Sequence, residues 1–264
     1  MSDVPIDRFV ETSEQLEKRK KTGAPSSAPP HKAVALPQQN IQSQQAAREA
    51  PPSIQQTSPT IPNETAVASA RALASAVTSL DGLKERLLSF EGCNLKFTAR
   101  STVFSDGAPD ADLMIIGGAP DRDEDEQGIP FVGMRGQLFD KMLAAIQLDR
   151  KNSYLACVLP WRPPGNRPPS PAEMDICRPL IEKHIELANP KSIVLVGSLP
   201  VKMLLGKNGS VMSSRGKWAK IEVGGKEIDT LSMLNPAYLL QNSQHKRLAW
   251  NDLLTLKQHL SSSE

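Results

Sequence analysis

Apolar positions along the chain change their period several times, and each change predicts an element. Continuous apolar stretches at Leu113–Ile116, Tyr154–Leu159, Ser192–Val196 and Thr230–Leu234 read as short strands buried on both faces. Between them the spacing becomes helical. Gln137 to Leu148 places Leu138, Met142, Leu143 and Ile146 on one face; Pro171 to Ala188 follows Ser170 as N-cap, with Glu173 at the capping-box position. Short and long helices are also predicted from Ser198 to Leu205 and from Lys246 to Leu260. Upstream, Val67, Leu73, Ala76, Val77, Leu80, Leu83, Leu87 and Leu88 give Glu64 to Phe90 a helical pattern that Asp81 divides as a cap. Cys93–Lys96 then leads into an extended piece with Val103 and Phe104, and Ser105-Asp106-Gly107 reads as a turn. Gly224-Gly225 closes a hairpin from Trp218 to Ile228. Strands alternating with helices predict an α/β domain: a four-stranded, mainly parallel sheet with helices on both faces.

Composition changes this picture at the N-terminus. The 264 residues are 39% hydrophobic, enough for a sizeable core, yet they contain 22 prolines against 16 glycines. Residues 1–65 hold Pro, Gln and Ser-rich sequence almost free of aromatics, with one short apolar patch at Phe9-Val10, and are expected to form a disordered tail. Within them, Lys18-Arg19-Lys20-Lys21 is either a solvated charge run or a phosphate tether. Residues 66–92 form an N-terminal helical segment and 93–264 the main domain. A net charge of +2 neither demands nor excludes nucleic acid. Cys93, Cys157 and Cys177 are odd in number and widely spaced, which argues against a disulfide framework. With no long apolar run, the expectation is a cytoplasmic, membrane-free and monomeric protein.

The candidate chemistry begins where the first strand stops at Gly117 and Gly118. A loop follows with five carboxylates, Asp121, Asp123, Glu124, Asp125 and Glu126, and then Gly128-Ile129-Pro130-Phe131-Val132-Gly133. An aromatic residue between glycines beyond a strand's carboxyl end sits where open α/β sheets bind ligands. The stretch from Gly117 to Asp140 resembles the first motif of the family 4 uracil-DNA glycosylases. Tyr154–Pro169 (YLACVLPWRPPGNRPP) resembles the second motif and Asn235–Asn242 (NPAYLLQN) the third. Leu204-Leu205-Gly206, Arg215-Gly216-Lys217-Trp218 and Lys246–Trp250 fit as flanking words, so the resemblance covers about residues 92–257.

That resemblance implies hydrolysis of the N-glycosidic bond of a flipped uracil, with uracil-containing DNA as partner. An extruded base needs a surface to replace its lost stacking. Phe131 is the platform, unless it is simply core. Gly117, Gly118, Cys157 and Asn166 would complete the base pocket, Asn166 having a turn-capping alternative. Glu124, Asp125 and Asn235 are the candidate catalytic residues; Glu124 would orient or activate a water, or be a solvated carboxylate. Arg162, Arg167, Arg215, Lys217, Lys246 and Arg247 would line a phosphate-tracking rim, and Leu240, beside Leu239, would fill the gap left by the flipped nucleotide.

Three positions depart from the family pattern. Gly118 replaces a glutamate, Cys157 a uracil-reading asparagine, and Asn235 a histidine. Such changes would weaken uracil discrimination, broaden base specificity, or leave a catalytically impaired DNA-binding relative. The family also holds a four-iron iron–sulfur cluster with four cysteines, whose positions here are Cys93, Lys96, Trp161 and Cys177. Two thiolates are too few, so no cofactor or metal is expected, with Trp161 as an apolar plug.

Overall fold

A computed structural model describes residues 63–206 and 210–262. The tail up to Pro62, with its basic cluster, lies outside the described residues. The chain begins with helices α1 (Asn63–Ala76), α2 (Leu80–Ser89) and α3 (Asn94–Thr98). The predicted division of the first helical stretch is present, but Ser79 rather than Asp81 is the cap, its side chain accepting from the Gly82 N–H at 3.2 Å. Between Cys93 and the piece with Val103 and Phe104 lies the short helix α3.

The sheet has six strands, not four. They are β1 (Ser105–Gly107), β2 (Leu113–Gly117), β3 (Tyr154–Cys157), β4 (Ser192–Val196), β5 (Trp218–Val223) and β6 (Lys226–Met233), in the order β1-β3-β2-β4-β6-β5. The four expected core strands are the central ones, β3, β2, β4 and β6, all parallel to one another. Two antiparallel edge strands flank them. Ser105-Asp106-Gly107 is an edge strand paired with β3, too short and polar to show a period. The Gly224-Gly225 hairpin is real, and its second arm runs without a break into the fourth core strand.

The remaining helices are α4 (Arg122–Gln127), α5 (Gly133–Ala144), α6 (Pro171–Ala188), α7 (Ser198–Leu205), α8 (Val211–Ser214), α9 (Pro236–Gln241) and α10 (Lys246–Ser262). They flank the sheet. α6 starts and ends where its caps predict: Ser170 and Glu173 form the reciprocal capping box, and Asn189 ends the helix in the left-handed conformation. β2 and β4 are buried along their whole length, which is why they carry no polar alternation. Buried Tyr154 is hydrogen-bonded to buried His184 at 2.8 Å, tying β3 to α6. Burial pulls the His184 pKa down to about 3, so the ring is neutral there.

Candidate active site at the carboxyl ends of the parallel strands

The acidic stretch after β2 is helical, which its mutual repulsion had obscured. Asp121 is the N-cap of α4 and accepts from the Glu124 N–H at 3.0 Å; Glu124 reaches back to the Asp121 N–H at 2.8 Å. This capping box places carboxylates at the positive end of a helix, where they are favoured. Gly128 ends α4 with φ 71°, and the chain returns through Pro130 and Phe131 to α5.

A cavity of about 30 Å³ opens among Gly117, Gly118, Ala119, Glu124, Phe131, Arg135, Cys157, Asn235 and Pro236. Its volume suits one or two waters. Gly117 and Cys157 are register partners at the ends of β2 and β3, and Asn235 follows β6. The Phe131 ring lies so close to Gly117 that a Cβ there would come within 2.9 Å of it. The ring also stacks on Phe139, with centroids 4.5 Å apart. Phe131 is therefore 7% exposed, part of the core and part of the cavity wall at once.

Glu124 lines this cavity, but both carboxylate oxygens already have partners. Oε2 accepts from the Asp121 N–H and Oε1 from the Phe131 N–H at 2.5 Å. Burial, against the pull of those donors, pushes its pKa up to about 7. Asn235 caps α9, its Oδ1 accepting from the Ala237 N–H at 2.8 Å. That leaves the amide –NH₂ as a donor for a ligand. Burial raises the Cys157 thiol well above its ordinary value, and the carboxylates of Glu124 and Asp121 add to the effect, so it is a neutral thiol. Gly118 has open space on its side-chain face, with Leu199 no nearer than 3.9 Å to a built Cβ.

Other expected site residues lie elsewhere. Asp125 does not line the cavity: its Oδ1 accepts from the N–H groups of Arg100 and Ser101, so it straps the end of α3 to α4. Asn166 is exposed in a turn and accepts from Arg162 Nε at 2.7 Å, which fits the turn reading rather than the base pocket. Arg167 is held by Glu173 at 2.6 Å. Arg215 is turned inward onto Asp252, which is fully buried, instead of standing on a rim. Lys246 and Arg247 are exposed at the start of α10. Leu239 is core at 1% exposure, while Leu240 is 42% exposed and free to meet a partner. Arg135 was missed; it stands between two motif glycines, lines the cavity, and pairs with Asp121 at 3.0 Å.

The implied cluster positions do not fit four-thiolate ligation. Buried Cys93 and Cys177 are neighbours whose mutual interaction lowers the Cys93 pKa and raises that of Cys177. Lys96 donates to the Leu88 carbonyl at 2.6 Å. Trp161 is 1% exposed, stacks on Phe90 and donates to Thr102, filling the remaining space with an indole. Neither Lys96 nor Trp161 offers a soft anionic ligand.

The family model that matches this chain describes the uracil DNA glycosylase superfamily and spans residues 104–254. Among curated relatives, the type-4 uracil-DNA glycosylase of Archaeoglobus fulgidus is 33% identical over 170 residues, covering 63% of this chain and 85% of the relative. That of Sulfurisphaera tokodaii is 32% identical over 185 residues, covering 68% and 84%. The Thermotoga maritima protein of the same name is 30% identical over 177 residues, covering 65% and 89%.

Proposed function

Because the chain belongs to the uracil DNA glycosylase superfamily, we propose that it is a base-excision repair hydrolase acting on uracil in DNA. The observation that carries this reading is the convergence of Phe131, Glu124, Cys157 and Asn235 on one cavity beyond the parallel strands. In this reading the duplex gives up one nucleotide, and the cavity, which as it stands has room for one or two waters, widens beside the Phe131 ring to admit the base. Bond cleavage places negative charge on the departing uracil, and the Asn235 –NH₂ stabilises it by donating to a carbonyl oxygen. Glu124 holds the platform and, in its ionised form, gives negative charge near the sugar. Lys246 and Arg247 meet phosphates, and Leu240 enters the space left in the stack. The protein acts as a cytoplasmic monomer. Among the described residues no helix is long and apolar enough to cross a membrane.

A second reading, an impaired DNA-binding relative or one with altered base specificity, is favoured by the occupied oxygens of Glu124 and the neutral Cys157 thiol. A thiol cannot reproduce the paired donor and acceptor of an amide. An oligonucleotide with one uracil, treated with the protein and then with alkali, separates the two. Strand breakage at the uracil supports excision; retention of the duplex at low salt without breakage supports binding alone. Restoring the family residues in the triple variant Gly118→Glu/Cys157→Asn/Asn235→His is expected to raise uracil release by about 10²-fold or more, since one oriented donor is commonly worth that much. No gain would mean that these departures do not limit the reaction.

We further propose that no iron–sulfur cluster is held. The purified protein is expected to lack the absorption band near about 400 nm that such clusters give, and a brown preparation would overturn the ligand assignment.

A further inference from the structure

Phe131 has φ 55°, a left-handed backbone that a bulky aromatic residue adopts only under constraint. The other non-glycine residues with positive φ among those described are Gln147, Asn166 and Asn189, and asparagine tolerates this region. Stacking against Phe139 fixes the ring but does not set the peptide. The constraint comes from two side chains distant in sequence. On one side, the Phe131 N–H donates to Glu124 Oε1. On the other, Arg150 Nη2 donates to the Phe131 carbonyl at 2.5 Å and its Nη1 to the Pro130 carbonyl at 3.3 Å. Gly136 lets that carbonyl lie against α5, since a Cβ there would stand 1.8 Å from the Phe131 oxygen.

The guanidinium is itself aimed. Its Nε donates to Asp140 Oδ1 on α5 at 2.9 Å and its Nη1 to Asp106 Oδ2 on β1 at 2.5 Å. Burial opposes the charge, yet these two carboxylates raise the Arg150 pKa, so the cation is permanent. Two anions therefore orient one planar fork, and the fork holds two successive carbonyls.

We propose that Arg150 is a positioning residue for the Phe131 platform, holding peptides 130 and 131 so that the ring forms the cavity wall instead of turning into solvent. This rests on reading the cavity as a base pocket. A lysine keeps the charge but cannot span Asp106, Asp140 and both carbonyls together. Displacing a platform by about 1 Å is enough to cost about 10²-fold in rate. Substrate affinity depends mainly on contacts with the phosphate backbone, and the Arg150 guanidinium is already engaged by Asp106, Asp140 and two carbonyls.

The test compares Arg150→Lys and Arg150→Met with the unaltered full-length protein. Uracil release from a duplex oligonucleotide is expected to fall by about 10- to 100-fold in kcat for both, with KM changed by less than about threefold. In parallel, the Phe131 amide resonance in ¹H–¹⁵N spectra is expected to move upfield as its carboxylate bond loosens, while amides of β4 stay in place. In the unaltered protein that resonance should titrate with Glu124, near pH 7; the ionisable groups facing Glu124 are Asp121, Arg135 and Cys157. An unmoved Phe131 amide, or kcat within about twofold of the unaltered value, overturns the assignment. If the unaltered protein releases no uracil, the uracil-excision reading fails, and the amide resonance still decides whether Arg150 sets the platform. Should Arg150→Met not fold, Asp140→Asn loosens the same guanidinium from one side and is expected to give a smaller shift in the same direction.

Discussion

Phe131→Ala is expected to lower uracil release by roughly 10- to 100-fold, because stacking one base on an aromatic ring is commonly worth about 1–3 kcal/mol. Phe131 also packs on Phe139 and is 7% exposed, so truncation costs stability as well, on the order of 3–5 kcal/mol for a fully buried phenylalanine. Phe131→Leu separates the two effects. Leucine keeps most of the volume against Phe139 and the same backbone demand, but offers no flat face. If the ring is a base platform, Phe131→Leu retains most of the thermal stability and loses nearly as much activity as Phe131→Ala. Equal activity of Phe131→Leu and the unaltered protein, measured at saturating duplex, would return Phe131 to the core and remove the pocket assignment.

Asp252→Ala is expected to reduce the unfolding free energy by about 3–5 kcal/mol, the usual cost of leaving one member of a buried ion pair alone. Asp252 is fully buried and accepts from Arg215 Nε and Nη2, while Nη2 also reaches the Leu248 carbonyl. The pair joins the segment after α8 to α10. Removing the carboxylate leaves a largely buried guanidinium without its counter-ion. In urea titrations the midpoint of Asp252→Ala should fall well below that of the unaltered protein, with the slope little changed. The double variant Arg215→Met/Asp252→Leu should recover most of the loss, because an apolar pair of similar volume has no desolvation cost. A near-neutral single variant would mean that Arg215 is free to leave Asp252 for solvent or for DNA.

These two sites show where sequence reading succeeds and fails. The four core strands and α6 were legible because each is set locally: apolar runs of a few residues, a Ser–Glu capping box, an asparagine able to end a helix in the left-handed region. β1 was not legible, since three polar residues have no period and pair only because β3 lies beside them. The carboxylates from Asp121 to Glu126 looked like a loop by charge; the first turn of α4 favours that charge and Asp121 caps it. Cationic residues fared worst. Arg215 and Arg167 were placed on a phosphate rim, but Asp252 and Glu173 hold them. Lys246 and Arg247 remain exposed as expected.

By itself the sequence determined which family's motifs the chain carries, where the parallel strands run, and that Phe131, Gly117, Gly118, Cys157 and Asn235 belong near the strand ends, because short-range patterning and motif order are written in neighbouring residues. Only the tertiary structure decided what each polar group does there. Glu124 spends both oxygens on backbone donors, Asn235 caps a helix, Asn166 meets Arg162, Asp125 meets the Arg100 and Ser101 N–H groups, and Arg150 grips a peptide 19 positions upstream. The physical reason is that a hydrogen bond depends on distance and direction between groups far apart in the chain, and no local pattern records which partner a charged side chain will meet.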